Sequence, residues 1–253
     1  MSKARIGMVT VGQAPRGDVV PDMAALLPGV EILEAGALDG LDRAAIARLA
    51  PAGVDEILVT RLADASSVFV GKSHVLPRVK ARIAALEDQG VALTVLLCTG
   101  AFPRMAARRP LLEPQQVLLG VLRGLSHPGR LGVLTPSERH VPQTTARWRA
   151  DGFDAAVVPL SPYEEHDPAS LARATAALRA AEAGLVVMDC IGFRDVTRRD
   201  LTARLGVPVL VANLLVARLA AELLALYWVW ARGCSCSCPS RRCSASSSRR
   251  RWR

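Results

Sequence analysis

The chain has 253 residues, 51% of them apolar and only 4% aromatic, so Ala, Leu and Val must fill a sizeable core. A net charge of +9 suggests a nucleic-acid or membrane partner, yet residues 226–253 hold seven of the arginines (232, 241, 242, 249, 250, 251, 253) and no acid. The other 25 basic residues face 23 acidic ones, an ordinary balance in which no basic patch for nucleic acid is evident.

The start, MSKARIGMVTVG, lacks the long apolar run of a signal peptide and enters a strand pattern. The most apolar stretch, 207–231, is broken by Asn213, Arg218 and Glu222, so no membrane span is expected. Both points predict a cytoplasmic protein with reduced thiols. Short aliphatic runs predict strands at 5–11, 30–34, 56–60, 92–97, 130–135, 155–160, 184–189 and 207–212. Helical patterns fill 17–27, 42–50, 74–89, 138–150, 168–183, 195–205 and 213–225. This alternation predicts an α/β fold of parallel sheets flanked by helices.

The sequence echoes itself. Arg5-Ile-Gly-Met-Val-Thr10 matches Arg130-Leu-Gly-Val-Leu-Thr135, and Val95-Leu-Leu-Cys-Thr-Gly100 matches Val187-Met-Asp-Cys-Ile-Gly192. Two echoes in one order predict two similar lobes, with extra length in the first near 60–78. The turn-rich Ser126-His127-Pro128-Gly129 marks the boundary. The lobes are then 1–128, with the C-terminal helix as a candidate addition, and 129–225.

Beyond 225 the composition changes abruptly. Cys234, Cys236 and Cys238 suggest a soft metal and the Arg runs a nucleic acid, but one-residue spacing is not that of zinc ligands. Residues 226–253 therefore read as a disordered or aberrant tail.

Ligands of open parallel sheets bind beyond the carboxyl ends of the strands. After the first strand, Thr10 and Gly12 lead to Gln13 and Arg16, which suit a carboxylate or phosphate. Arg61 and Asp64 follow the third strand, where they line the same cleft or pair with each other. Ser137 follows the first strand of the second lobe and reads as a helix cap. Cys98 precedes Thr99 and Gly100, and Cys190 precedes Ile191 and Gly192. A lone cysteine is usually a small buried hydrophobe. Two at equivalent strand ends point instead to paired acid–base groups, each with a pKa lowered by a helix N-terminus. The histidines (74, 127, 140, 166) are scattered, and no metal set appears.

The loop Thr10-Val-Gly-Gln-Ala-Pro-Arg16, the run Val186-Val-Met-Asp-Cys-Ile-Gly-Phe193 and the ending Asn213-Leu-Leu-Val-Ala-Arg-Leu-Ala-Ala-Glu-Leu223 resemble the AroM family over about residues 4–225. That family resembles a branch of the aspartate/glutamate/hydantoin racemase superfamily. The resemblance implies two lobes with one cysteine from each, no cofactor, and relatives that use a single cysteine, such as arylmalonate decarboxylase and maleate isomerase types. Racemases of that kind follow their cysteines with Asn-Thr and Thr-His, where this chain has Thr99-Gly100 and Ile191-Gly192. The acidic residue usual after the first strand is also missing, which argues against ordinary glutamate racemase activity.

The expected function is cofactor-independent racemase or epimerase chemistry on a small carboxylate. Cys98 and Cys190 would be the acid–base pair. Thr99, Gly100, Ile191 and Gly192 amides would hold enolate oxygens, and Gln13 and Arg16 the substrate. The alternatives are a one-cysteine lyase or isomerase and a ligand-binding or regulatory protein without catalysis. A homodimer is the default expectation for assembly.

Overall fold

The computed structural model describes residues 3–164 and 168–233, the side chains of 225–233 excepted. The first half runs β1 (Arg5–Thr10), α1 (Val20–Ala24), β2 (Glu31–Gly36), α2 (Arg43–Ala47), β3 (Ile57–Arg61), β4 (Ser67–Gly71), α3 (Lys72–Asp88), β5 (Leu93–Leu97), β6 (Leu111–Leu112) and α4 (Pro114–Arg123). The second runs β7 (Arg130–Thr135), a 3-10 turn (Glu138–His140), α5 (Val141–Ala150), β8 (Ala155–Pro159), α6 (Pro168–Ala180), β9 (Ala183–Met188), α7 (Asp195–Leu205), β10 (Val209–Val211) and α8 (Ala212–Gly233).

Two four-stranded sheets result, ordered β2-β1-β5-β6 and β10-β9-β7-β8, with every pairing parallel. The strands that carry the sequence echo, β1 with β5 and β7 with β9, are the central pair of each sheet. Two-sided burial explains their unbroken aliphatic character: both β1 and β7 are buried at every residue after the first.

The expected third strand, 56–60, is not in a parallel sheet. It forms β3 and pairs antiparallel with β4, a strand the periodicity did not predict, in a separate hairpin. Ala65, at φ 64°, closes the turn between them. This hairpin lies where extra length was expected in the first lobe. Helix α2 is shorter than its expected 42–50, and β6 was too short to anticipate.

Pleating sorts the core. On β1, Ile6 and Met8 face a cluster that also takes Leu93, Val95 and Leu97 of the first sheet and Leu131, Val133, Leu185 and Val187 of the second. Val9, Leu96 and Cys98 face a second cluster belonging to the first lobe. Leu134, Met188 and Cys190 face a third, in the second lobe. The central cluster is therefore common to both lobes. Helix α8 closes it with Val216, Ala217 and Ala220 and packs on α1, α4 and β5 of the first lobe. It continues past 225 into the segment read as tail, and 234–253 lie outside the described residues. No helix among the described residues is long and apolar enough to cross a membrane.

Candidate active site

Strands β5 and β9 end at Leu97 and Met188, and the chain then delivers Cys98 directly and Cys190 after Asp189. Both cysteines line one cleft between the lobes, whose free space counted to its open mouth is about 450 Å³. They are free thiols, 8% and 6% exposed.

Each thiol is held by the loop that follows it. The Gly100 amide donates to Cys98 Sγ at 3.4 Å, and the Gly192 amide pulls the Cys190 pKa down in the corresponding loop. The repeated Cys-x-Gly segments thus build one motif twice. Cys190 has a further neighbour, the Tyr163 hydroxyl at 3.7 Å. The expected lowering of the thiol pKa is not what this environment produces. Burial pushes Cys98 up to about 12 and pushes Cys190 up as well, against the pull of the glycine amides. Neither cysteine opens a helix itself, since α4 begins at Pro114 and α7 at Asp195. The two environments differ. Tyr163 and Arg16 favour the Cys190 thiolate against the charge of Asp189, whereas Cys98 has Arg147 in its favour and the charges of Cys190 and Glu56 against it.

The structure brings Arg16, Thr99, Gly100 and Ile191 to the cleft along with the cysteines. Arg16 is 1% exposed and already engaged, with a two-pronged pair to Asp18 at 2.8 Å and a bond to Thr10 Oγ1 at 3.0 Å. Burial alone would raise the Asp18 carboxyl, but the hydrogen bond and charge of Arg16 hold it below the ordinary range. Thr10 also accepts from the Gly12 amide at 3.2 Å, so its hydroxyl serves the loop. Gln13 is a staple rather than a cleft residue: its amide group reaches the Leu38 and Leu41 carbonyls and the Ala63 amide. Gly12 permits close approach as expected, but to the hairpin, where a Cβ would stand 2.3 Å from the Arg61 carbonyl oxygen.

Arg61 crosses to the second lobe, donating to the Tyr163 carbonyl at 2.8 Å and lying 5.0 Å from the Tyr163 ring centre. Asp64 sits outside the cleft at the exposed hairpin turn, paired with Arg43 and Ser66 rather than Arg61. Ser137 occupies a helix-capping position, but its hydroxyl bonds His140 Nδ1 at 2.8 Å instead of a backbone amide. Gly192 packs against Tyr163, whose ring a Cβ would meet at 2.6 Å.

Several cleft residues were not singled out from sequence. Asp189 is buried and accepts from Trp148 Nε1 at 2.8 Å and from Arg147. Arg147 also donates to the Thr99 carbonyl at 2.7 Å, so the second lobe grips the Cys98 loop. Thr99 returns a bond to the Asp189 carbonyl at 3.1 Å. Gln143 takes both backbone groups of Ile57, at 2.7 and 3.0 Å, and ties the hairpin to α5. Asn213 donates to the Ile191 and Phe193 carbonyls and fixes the loop after Cys190. His140 is driven down to about 4 by burial and by the charges of Arg139 and Arg147, so it is neutral at pH 7. Among the described residues no cluster of His, Cys, Asp and Glu could hold a metal ion.

A family model described as AroM protein matches residues 6–224. The chain belongs to the AroM family. No protein of curated function matches this AroM chain by sequence. Among solved structures it resembles allantoin racemase from Pseudomonas fluorescens, with TM-score 0.60 and 19% identity over 88% of this chain and 92% of that one. Maleate cis-trans isomerase from Nocardia farcinica, solved with a covalent succinylcysteine intermediate, gives 0.59 and 17% over 88% and 93%. Glutamate racemase from Francisella tularensis, solved with D-glutamate, gives 0.58 and 12% over 90% and 83%. The AroM chain thus has the two-lobed Asp/Glu racemase-like fold.

Proposed function

We propose that this AroM protein is a cofactor-independent racemase or epimerase acting on a small carboxylate, with Cys98 and Cys190 as its acid–base pair. The observation that carries this reading is the pair of matching Cys-x-Gly loops, one per lobe, lining a single cleft. A thiolate on one side takes the α-proton, and the thiol opposite donates its proton to the other face of the carbanion. One S–H bond forms, one breaks, and the next turnover runs the reverse way. Tyr163 and Arg16 favour the Cys190 thiolate, and its charge in turn favours the protonated form of Cys98. Allantoin racemase, maleate isomerase and glutamate racemase share the fold, which supports chemistry of this general kind by analogy.

The asymmetry between the thiols favours one second reading, a one-cysteine lyase or isomerase that works through Cys190. Incubation of a panel of chiral small acids in heavy water separates the two. Deuterium entering the α-position, and lost in both Cys98→Ala and Cys190→Ala, is the expected result. Loss in Cys190→Ala alone selects the second reading. Exchange that survives the double variant overturns both, and no exchange with any acid leaves a binding or regulatory protein.

A further inference from the structure

We infer that one stripe of α5 and the turn before it, carrying His140 and Arg147, forms the carboxylate subsite of the cleft. The inference rests on the function proposed above and names what holds the substrate. Among the described residues, buried side-chain polar atoms without a partner include His140 Nε2, Arg147 Nε and Asp189 Oδ1, all from residues that line this cleft. A buried polar atom left unpaired is costly, so such atoms collected at one cleft indicate a polar ligand.

Positions 140, 143, 144 and 147 repeat at helical spacing, and all four line the cleft. The middle two are spent: Gln143 on the Ile57 backbone, and Thr144 on Thr135 at 3.0 Å. The outer two each keep a nitrogen without a well-formed hydrogen bond, the His140 ring lying near the Ile57 carbonyl that Gln143 already holds. On Arg147 the other nitrogens hold Thr99 and Asp189, and only Nε is left. On His140 the Ser137 hydroxyl occupies Nδ1, and when it donates there the ring proton sits on Nε2. Two N–H donors, one on a cation, are the donor types that a carboxylate takes. Of the cations that strand order favours for this task, Arg16 is engaged with Asp18, and Arg61, whose Nε also lacks a hydrogen-bond partner, lines a separate hollow beside Tyr163 and not this cleft. Asp189 Oδ1 accepts only, so a hydroxyl or amide N–H beside the ligand's carboxylate would complete the set.

Lactate, propionate and lactamide test this with the full chain, by calorimetry and by the ¹⁵N spectrum of histidine-labelled protein. Lactate should bind most tightly, propionate more weakly, and lactamide at least tenfold more weakly than lactate. Lactate should shift the His140 Nε2 resonance. His140→Leu should weaken lactate at least tenfold, and His140→Gln, which keeps a donor, by less than threefold. A His140 signal unmoved at saturation, lactamide binding as well as lactate, or no binding by any probe overturns the inference. Lactate binding that ignores His140→Leu removes the subsite and leaves the two-thiol chemistry standing. Binding as expected, with no α-deuteration of any acid, removes the chemistry and keeps the subsite.

Discussion

The Cys98 thiol should be slow to alkylate in the free protein, and the degree can be worked out. Burial puts it at about 12 against 9.0 for an ordinary thiol. At pH 8 its thiolate share is then lower by about a thousandfold, a factor of ten for each unit. A more basic thiolate is also a better nucleophile, and with a Brønsted slope of 0.4–0.5 this returns about 16–32-fold. The net expectation is labelling about 30–60 times slower than a model thiol, and slower still because the sulfur is shielded. Iodoacetamide labelling followed by peptide-resolved mass spectrometry separates Cys98 from the other cysteines. The rate should go on rising with pH beyond 10. A rate at pH 8 equal to that of the model thiol, or a plateau below pH 10, refutes the claim that burial dominates this group.

Gln143→Ala should leave both Ile57 backbone groups unpaired and loosen the hairpin by about 1–3 kcal/mol. Amide exchange at Ile57 should speed up by about 10–100-fold, and unchanged protection would show that the hairpin docks by other means. Gly192→Ala drives a methyl into the Tyr163 ring at 2.6 Å and should cost about 1–3 kcal/mol in urea melts. The displaced phenol no longer favours the thiolate, so Cys190 should titrate higher; an unchanged titration contradicts the role given to Tyr163. His140 sits at about 4 when folded against an ordinary 6.5. Between these values the unfolded chain binds a proton that the folded chain refuses, so stability rises with pH across the window and is flat above it. The difference is about 2–3 kcal/mol after discounting for solvent, and His140→Leu should remove that part of the slope between pH 4 and 6.5.

The central strands were legible because two-sided burial writes itself as unbroken aliphatic runs, and the matching runs at 5–10 and 130–135 marked the two sheets. Pairing direction was not legible. The run at 57–61 looks the same whether its neighbour is parallel or antiparallel, and its partner β4 alternates too briefly to stand out. The cysteines could be read because each repeats at an equivalent strand end. Their titration could not, because the glycine amides and Tyr163 arrive from loop geometry. Gln13 and Arg16 stood at a favoured position, but their partners, Leu38 and Asp18 among them, decide that they brace the loop. Asp189 and Arg147 gain meaning only from their contact across 42 residues of chain, and His140 from its burial beside Arg147, which no local pattern reports.

The apolar cluster shared by the two sheets limits how this molecule can be divided. Neither repeat retains a finished interior when cut at residue 128, since Ile6, Val95, Val133 and Val187 would each face water on the severed side. The two lobes depend on each other for their interior, and the protein should melt as one cooperative body, with both thiols losing their shelter at the same temperature.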